Sequence, residues 1–147
     1  MALHFTLKEF QDREDLVINS LKKQNLDAIL IFRQESMYWL TGYDTFGYVF
    51  FQCLVLTAEG ERILLTRAPD LRQAQNTSII KDIRIWIDKE GHSPSEELKK
   101  ILMELNLANK NLGVEYESYG LTGRNALQLN RSLENFKLQD ESFLISK

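Results

Sequence analysis

Apolar residues repeat at helical spacing through Phe10, Val17 and Leu21, directly after a start signal made of Thr6 and Glu9. Those two have the spacing of a capping box, and Phe5 and Phe10 stand where a hydrophobic staple would close the first turn. The pattern predicts a helix from Leu7 to Gln24 that stops at Asn25. Asp27 to Phe32 is an unbroken apolar run after its first residue, as in a strand covered on both faces. A short helical turn is expected over Ser36 to Leu40, ended by Gly42, a residue that tolerates left-handed backbone.

From Tyr48 to Leu56 both alternating sets of positions are apolar. Tyr48, Phe50, Leu54 and Leu56 share one face, and Val49, Phe51, Cys53 and Val55 share the other. Such a strand belongs in the middle of a sheet. Ala58-Glu59-Gly60 reads as a turn that returns Arg62 to Thr66 as the antiparallel partner. Pro69 opens a short helix through Gln75, and Ile83 to Ile87 is a further strand. Ser93, Pro94 and Glu96 announce the next helix with a cap, a first-turn proline and a capping box. Its buried stripe is Leu98, Ile101, Leu102 and Leu105. Leu112 to Glu115 is a short strand, and Thr122 caps a helix that buries Leu129 and Leu133. Phe136 to Leu138 and Phe143 to Ile145 are weaker strand candidates. Strands alternating with helices at this spacing predict a single α/β domain, and the central hairpin makes the sheet mixed.

One stretch exceeds what a core requires. Between Glu35 and Leu56, Tyr38, Trp39, Tyr43, Phe46, Tyr48, Phe50 and Phe51 crowd around Gly42 and Gly47. Aromatics with a polar edge are favoured where one end is buried and the other meets a ligand or partner. Phe51 and Val49 read as core, whereas Phe46, Tyr48 and Phe50 lead into the strand on one face and are candidates to touch a ligand or partner.

Composition narrows the chemistry. The chain has 147 residues, 44% hydrophobic and 27% charged, which suits one soluble globular domain. With 18 basic and 21 acidic residues the net charge is -3, and no basic footprint for nucleic acid is visible. No apolar run approaches a membrane span, and the N-terminus lacks the layout of a signal peptide. A single cysteine, Cys53, cannot form an internal disulfide, so a reducing cytoplasm is the expected setting.

Each familiar catalytic arrangement then fails. His4 and His92 lie far apart without metal-site spacing and read as solvated loop histidines. Cys53 sits among apolar neighbours that would raise its pKa and silence it as a nucleophile. No Gly-x-Ser-x-Gly elbow or phosphate-binding glycine pattern is present. Glu96 and Glu97 suit a helix start, and Glu115 with Glu117 reads as solvated charge at a strand end. Arg67 and Arg72 flank Pro69 and could clamp a carboxylate, although a surface pairing with Asp70 accounts for Arg67 as well.

Several segments together resemble a known family. These are Leu26 to Phe32, Met37-Tyr38-Trp39-Leu40-Thr41-Gly42, the Leu64-Leu65-Thr66-Arg67 hairpin strand and Leu112-Gly113-Val114-Glu115. The chain resembles the N-terminal domain of the creatinase/prolidase metallohydrolases, which include Xaa-Pro peptidases and ectoine-hydrolase-like enzymes. Tyr38, Leu40, Thr41 and Gly42 carry the sharpest part of the motif. The resemblance implies a mixed sheet with helices on both faces and a ribonuclease-H-like motif. It implies no catalytic residue and no metal ligand in residues 1 to 147. A separate pita-bread catalytic domain would hold two divalent cations (manganese, cobalt or zinc). Phe143 to Lys147 looks like the junction to that domain. The resemblance further implies a homodimer in which Phe46, Tyr48 and Phe50 reach the partner subunit's substrate pocket. A creatinase would be expected to offer an arginine near Phe50 to hold the substrate carboxylate, and its absence counts against creatine and leaves peptide or small-amide hydrolysis open.

Two other readings of the residues remain. The first is a stand-alone ligand-binding or regulatory domain of the same fold, using the aromatic edge. The second is a ribonuclease-H-like nuclease, which needs clustered acidic residues and an electropositive approach. Asp27 alone supplies neither.

Overall fold

The computed structural model describes residues 5–45, 50–87, 90–91 and 93–145. Helix α1 (Leu7–Lys23) begins as its sequence requires. The Thr6 hydroxyl accepts the Glu9 amide at 3.1 Å, and the Phe5 and Phe10 rings meet edge to face at 5.8 Å. The helix stops where Asn25 takes a φ of 59°. Strand β1 (Ala28–Ile31) follows, then α2 (Gln34–Thr41), the antiparallel pair β2 (Cys53–Thr57) and β3 (Arg62–Arg67), and a 3₁₀ turn (Ala68–Asp70) running into α3 (Leu71–Thr77). Strand β4 (Ile83–Trp86), helix α4 (Pro94–Glu104), strand β5 (Asn111–Val114), helix α5 (Gly123–Ser132) and strand β6 (Lys137–Asp140) complete the chain.

The six strands form one mixed sheet in the order β4-β3-β2-β1-β5-β6. β2 pairs antiparallel with both β1 and β3, while β3–β4, β1–β5 and β5–β6 are parallel. Because side chains alternate across a strand, β1 and β2 feed two cores at once. Ala28, Leu30, Cys53 and Val55 pack with Leu98, Ile101 and Leu102 of α4 and Leu129 of α5. Ile29, Ile31, Leu54 and Leu56 pack on the opposite face with Val17 and Leu21 of α1, Met37 and Leu40 of α2, and Ala74 of α3. Helices therefore cover both faces, and the continuous apolar runs at β1 and β2 follow from that double burial.

Several elements differ from the sequence expectation. The turn at Ser36 to Leu40 is a two-turn helix that starts at Gln34. The central strand begins at Cys53, and Phe50, Phe51 and Gln52 precede it. Its ladder ends there because β1 pairs only as far as Ile31↔Leu54, after which the chain turns into α2, while β3 gives way to Ala68-Pro69. Tyr48 and Val49, assigned to the same strand, lie outside the described residues. Ser93 precedes α4 without a side-chain cap, so that helix starts on the preset backbone of Pro94. Phe143 to Ile145 is a turn whose Leu144 is buried, not a strand.

Gly113 leaves little room for a side chain. A Cβ there would come within 3.0 Å of Glu141 Cγ and 3.3 Å of Leu26 Cδ1. Two substitutions should separate core from cap in a urea titration. Leu30→Ala, fully buried in β1, is expected to cost about 2–5 kcal/mol. Thr122→Ala, which removes the hydroxyl that accepts the Asn125 amide, should cost about 1 kcal/mol. A Leu30→Ala cost no larger than the cap's would contradict the central placement of β1.

Candidate functional site

The aromatic stretch is positioned by α2, and α2 is fixed at both ends. At its start Glu115, fully buried at the carboxyl end of β5, accepts the Phe32 amide at 3.1 Å and the Arg33 amide at 3.0 Å through one oxygen. The other oxygen accepts the Ser36 hydroxyl at 2.7 Å. At the far end Gly42 takes a φ of 83° and its amide returns to the Tyr38 carbonyl at 2.8 Å. Thr41 donates to the Met37 carbonyl at 2.6 Å and accepts the Tyr43 amide at 3.2 Å. Hence Thr41 and Gly42 are the structural end of the helix.

The rest of the family-like motif fastens α2 to α1. Leu40 is buried, Tyr38 meets Phe5 edge to face at 6.0 Å, and Arg13 donates to the Trp39 carbonyl at 2.9 Å. The Arg13 guanidinium lies 4.1 Å from the Phe5 ring centre and 5.2 Å from that of Trp39. Cation–aromatic contacts of this kind contribute on the order of 0.5–2 kcal/mol each.

Beyond Gly42 a buried polar network replaces apolar packing. The Tyr43 hydroxyl donates to Gln52 Oε1, and the Thr66 hydroxyl donates to the same oxygen at 3.0 Å. Burial pushes the Tyr43 phenol up to about 12, so it stays neutral and donating at every physiological pH. Thr45 donates to Asp70 Oδ1 at 2.8 Å, and the other Asp70 oxygen sits 3.4 Å from Arg67 Nε. The Arg67 guanidinium in turn lies 3.6 Å from the centre of the Phe50 ring. Phe50 itself is 41% exposed. Polar side chains thus lie beneath an exposed Phe50 ring stacked on a largely buried Arg67.

Of the three pocket candidates, Phe50 is at the surface, while Phe46 and Tyr48 lie outside the described residues. Two residues were misjudged from sequence. Arg67 is largely buried rather than a surface arginine, stacked on the ring it does not neighbour in sequence. Glu115 was read as solvated charge, yet it has no exposed surface; only Glu117 fits that description. The signal available was a carboxylate continuing the buried Leu112-Gly113-Val114 run. His4 and His92 lie outside the described residues. Cys53 is fully buried and its thiol pKa is pushed up by desolvation.

A second concavity lies beside Glu115. A cavity of about 310 Å³ is lined by Arg33, Gln34, Glu35, Glu117, Ser118 and Tyr119. It sits outside the carboxyl ends of the parallel neighbours β1 and β5, where the chain departs in opposite directions, the place where open α/β sheets commonly hold ligands. Arg33 and Glu35, two of its lining residues, pair with each other at 3.1 Å. Among the described residues no group of three or more His, Cys, Asp or Glu could hold a metal ion, and no helix is long and apolar enough to cross a membrane.

Residues 13–147 match the family model described as the creatinase/prolidase N-terminal domain. The chain belongs to that family. It is 26% identical to an uncharacterised hydrolase/peptidase of Sinorhizobium fredii over 98% of its own length. It is also 25% identical to an ectoine hydrolase of Halomonas elongata over 99% of its length. The chain spans 38% of the length of each of these relatives. Among solved structures, an Xaa-Pro aminopeptidase from Streptococcus pyogenes superposes with a TM-score of 0.75 at 17% identity, covering 96% of this chain and 98% of that one. A dipeptidase from Pyrococcus horikoshii gives 0.71 at 25% identity, covering 90% of this chain and 35% of that one. These likenesses establish the α/β domain with its mixed six-stranded sheet as the fold of this family's N-terminal domain.

The clamp on α2 makes the fold of this family member sensitive to pH. Burial raises the Glu115 pKa from 4.5 to about 7, against the opposing hydrogen bonds from Ser36, Arg33 and Phe32. The folded state therefore holds this proton between about pH 4.5 and 7 while the unfolded chain has released it, so stability falls as pH rises through that window. The ionised carboxylate should cost on the order of 3 kcal/mol relative to the acid by pH 8. Glu115→Gln keeps an acceptor for the amides and removes the titration. Denaturation midpoints at pH 5 and pH 8 should differ less in Glu115→Gln than in the wild type; equal differences would contradict the assignment.

Proposed function

We propose that this chain is the non-catalytic N-terminal domain of a metal-dependent hydrolase acting on Xaa-Pro peptides or small amides. In this reading it assembles a homodimer and lends Phe46, Tyr48 and Phe50 to the substrate pocket of the partner subunit. The two divalent cations belong to the catalytic domain, since the described residues of this chain offer no ligand group that fits them. No metal-dependent step is therefore assigned to it. A cytoplasmic setting accords with a buried, unpaired thiol at Cys53.

The observation that carries this reading is the Phe50–Arg67 pair. An aromatic ring left 41% exposed and stacked on a guanidinium, itself anchored to the buried Asp70, is a preorganised contact surface. It stands where the aromatic segment rejoins the sheet. The family and the partial coverage of hydrolase relatives supply the catalytic context.

Two measurements test it. In the two-domain protein, Phe50→Ala should raise KM for the preferred substrate by about tenfold, equivalent to roughly 1.4 kcal/mol, and alter the ranking of substrates. The 147-residue chain alone, supplied with manganese or cobalt, should hydrolyse no Xaa-Pro dipeptide. An unchanged substrate ranking in Phe50→Ala, or metal-dependent turnover by the chain alone, would refute the proposal.

The cavity at the ends of β1 and β5 favours a second reading, a ligand-binding or regulatory domain. Its Arg33, Glu35 and Tyr119 lining suits a small molecule bearing both charges. Calorimetric titration with free amino acids and dipeptides would distinguish the two, since the first reading expects no heat from this chain.

A further inference from the structure

The two outer edges of the sheet differ in character. β6 presents Lys-Leu-Gln-Asp, a polar edge of the kind that discourages pairing. β4 presents Ile-Arg-Ile-Trp and continues into Ile87, with Ile85 at 37% exposure and Ile87 at 55%. The parallel register against β3 decides which backbone groups are spent. Leu64 donates to the Asp82 carbonyl at 3.0 Å and stands beside Ile83. Even-numbered residues of β4 thus turn their amides and carbonyls toward β3, and Ile83 and Ile85 turn theirs to the open edge. Extended continuation of the strand to Ile87 would follow the same alternation.

The charge that would guard this edge is tied away from it. Arg84 donates to Asp82 at 2.7 Å and to Glu104 of α4 at 2.8 Å. Trp86 is likewise turned into the α4-side core, its indole N–H donating to the Phe51 carbonyl at 2.9 Å. Ile83, partly buried against the core on the α1 side, and the more exposed Ile85 turn their backbone groups to the open edge, and Ile87 follows them with its side chain exposed. That arrangement is its own complement. An antiparallel copy placed on a two-fold axis at Ile85 sets Ile85 against Ile85 and Ile83 against Ile87, all in pairs that exchange both N–H···O bonds.

We propose that β4 is the homodimer surface of this domain, pairing antiparallel with β4 of a second copy to continue the sheet across the two-fold axis. This names the surface for the dimer in the functional reading above and rests on that dimer, but not on the pocket residues. The partner is a second copy because the pattern of isoleucines is symmetric about Ile85 and the opposite edge, being polar, offers no alternative strand.

Sedimentation velocity of the 147-residue chain at increasing concentration should show a monomer–dimer equilibrium. Ile85→Lys, introduced at a partly exposed position, should raise the dimer dissociation constant at least about tenfold while leaving the circular dichroism spectrum unchanged. Should that variant misfold, Ile85→Cys gives an independent readout. Under mild oxidation it should form disulfide-linked dimers on a non-reducing gel, because Cys53 is fully buried. Leu127→Cys, 68% exposed on α5, should not. A chain monomeric at every concentration, a dimer indifferent to Ile85→Lys, or equal cross-linking at positions 85 and 127 would each overturn the proposal. A dimer that survives Ile85→Lys discards this surface alone, and the substrate-ranking experiment separately decides the pocket reading.

Discussion

A single carboxylate, Glu115, ties the carboxyl end of β5 to the loop leaving β1 and to the first turn of α2. It accepts the Phe32 and Arg33 amides at the entry to the helix, where amides lack intrahelical partners, and the Ser36 hydroxyl in the first turn. Removing it would leave buried donors without acceptors, which costs more than the net worth of the bonds themselves. The clamp matters beyond stability because α2 is only two turns long. Fixing its start fixes where Gly42 turns the chain, and so where Tyr43, Thr45 and the aromatic segment leave the core.

The same logic links the clamp to the surface pair. From Tyr43 onward the chain is held by side-chain hydrogen bonds to Gln52, Thr66 and Asp70, which come from the residue before β2, from β3 and from the turn after β3. The network is incomplete at one point, where Arg67 Nε and Asp70 Oδ2 are buried 3.4 Å apart as an ion pair without a hydrogen bond between them. Arg67 then emerges from β3 between Asp70 and Phe50. The polar floor, the arginine and the exposed ring form one continuous arrangement.

Much of the fold could be read from local patterning. The capping box at Thr6, the double-faced apolar runs of β1 and β2, the hairpin at Gly60 and the cap at Thr122 each rest on neighbours close in sequence. Local chemistry suffices there. The site was less legible. Phe50 could be singled out as an aromatic beyond core need, but its cation comes from Arg67, on another strand. Glu115 looked like surface charge because nothing local reveals that Phe32, Arg33 and Ser36 gather around it.

The sequence by itself determined where most helices and strands form and which faces they bury. Periodicity, caps and turn residues act over a few positions, so these properties are written locally. Only the tertiary structure decided that a carboxylate would be buried at α2, that an arginine would lie over Phe50, and that one sheet edge would be apolar and the other polar. Those outcomes depend on strand order and register, which bring together residues separated by tens of positions and leave no trace in the local pattern.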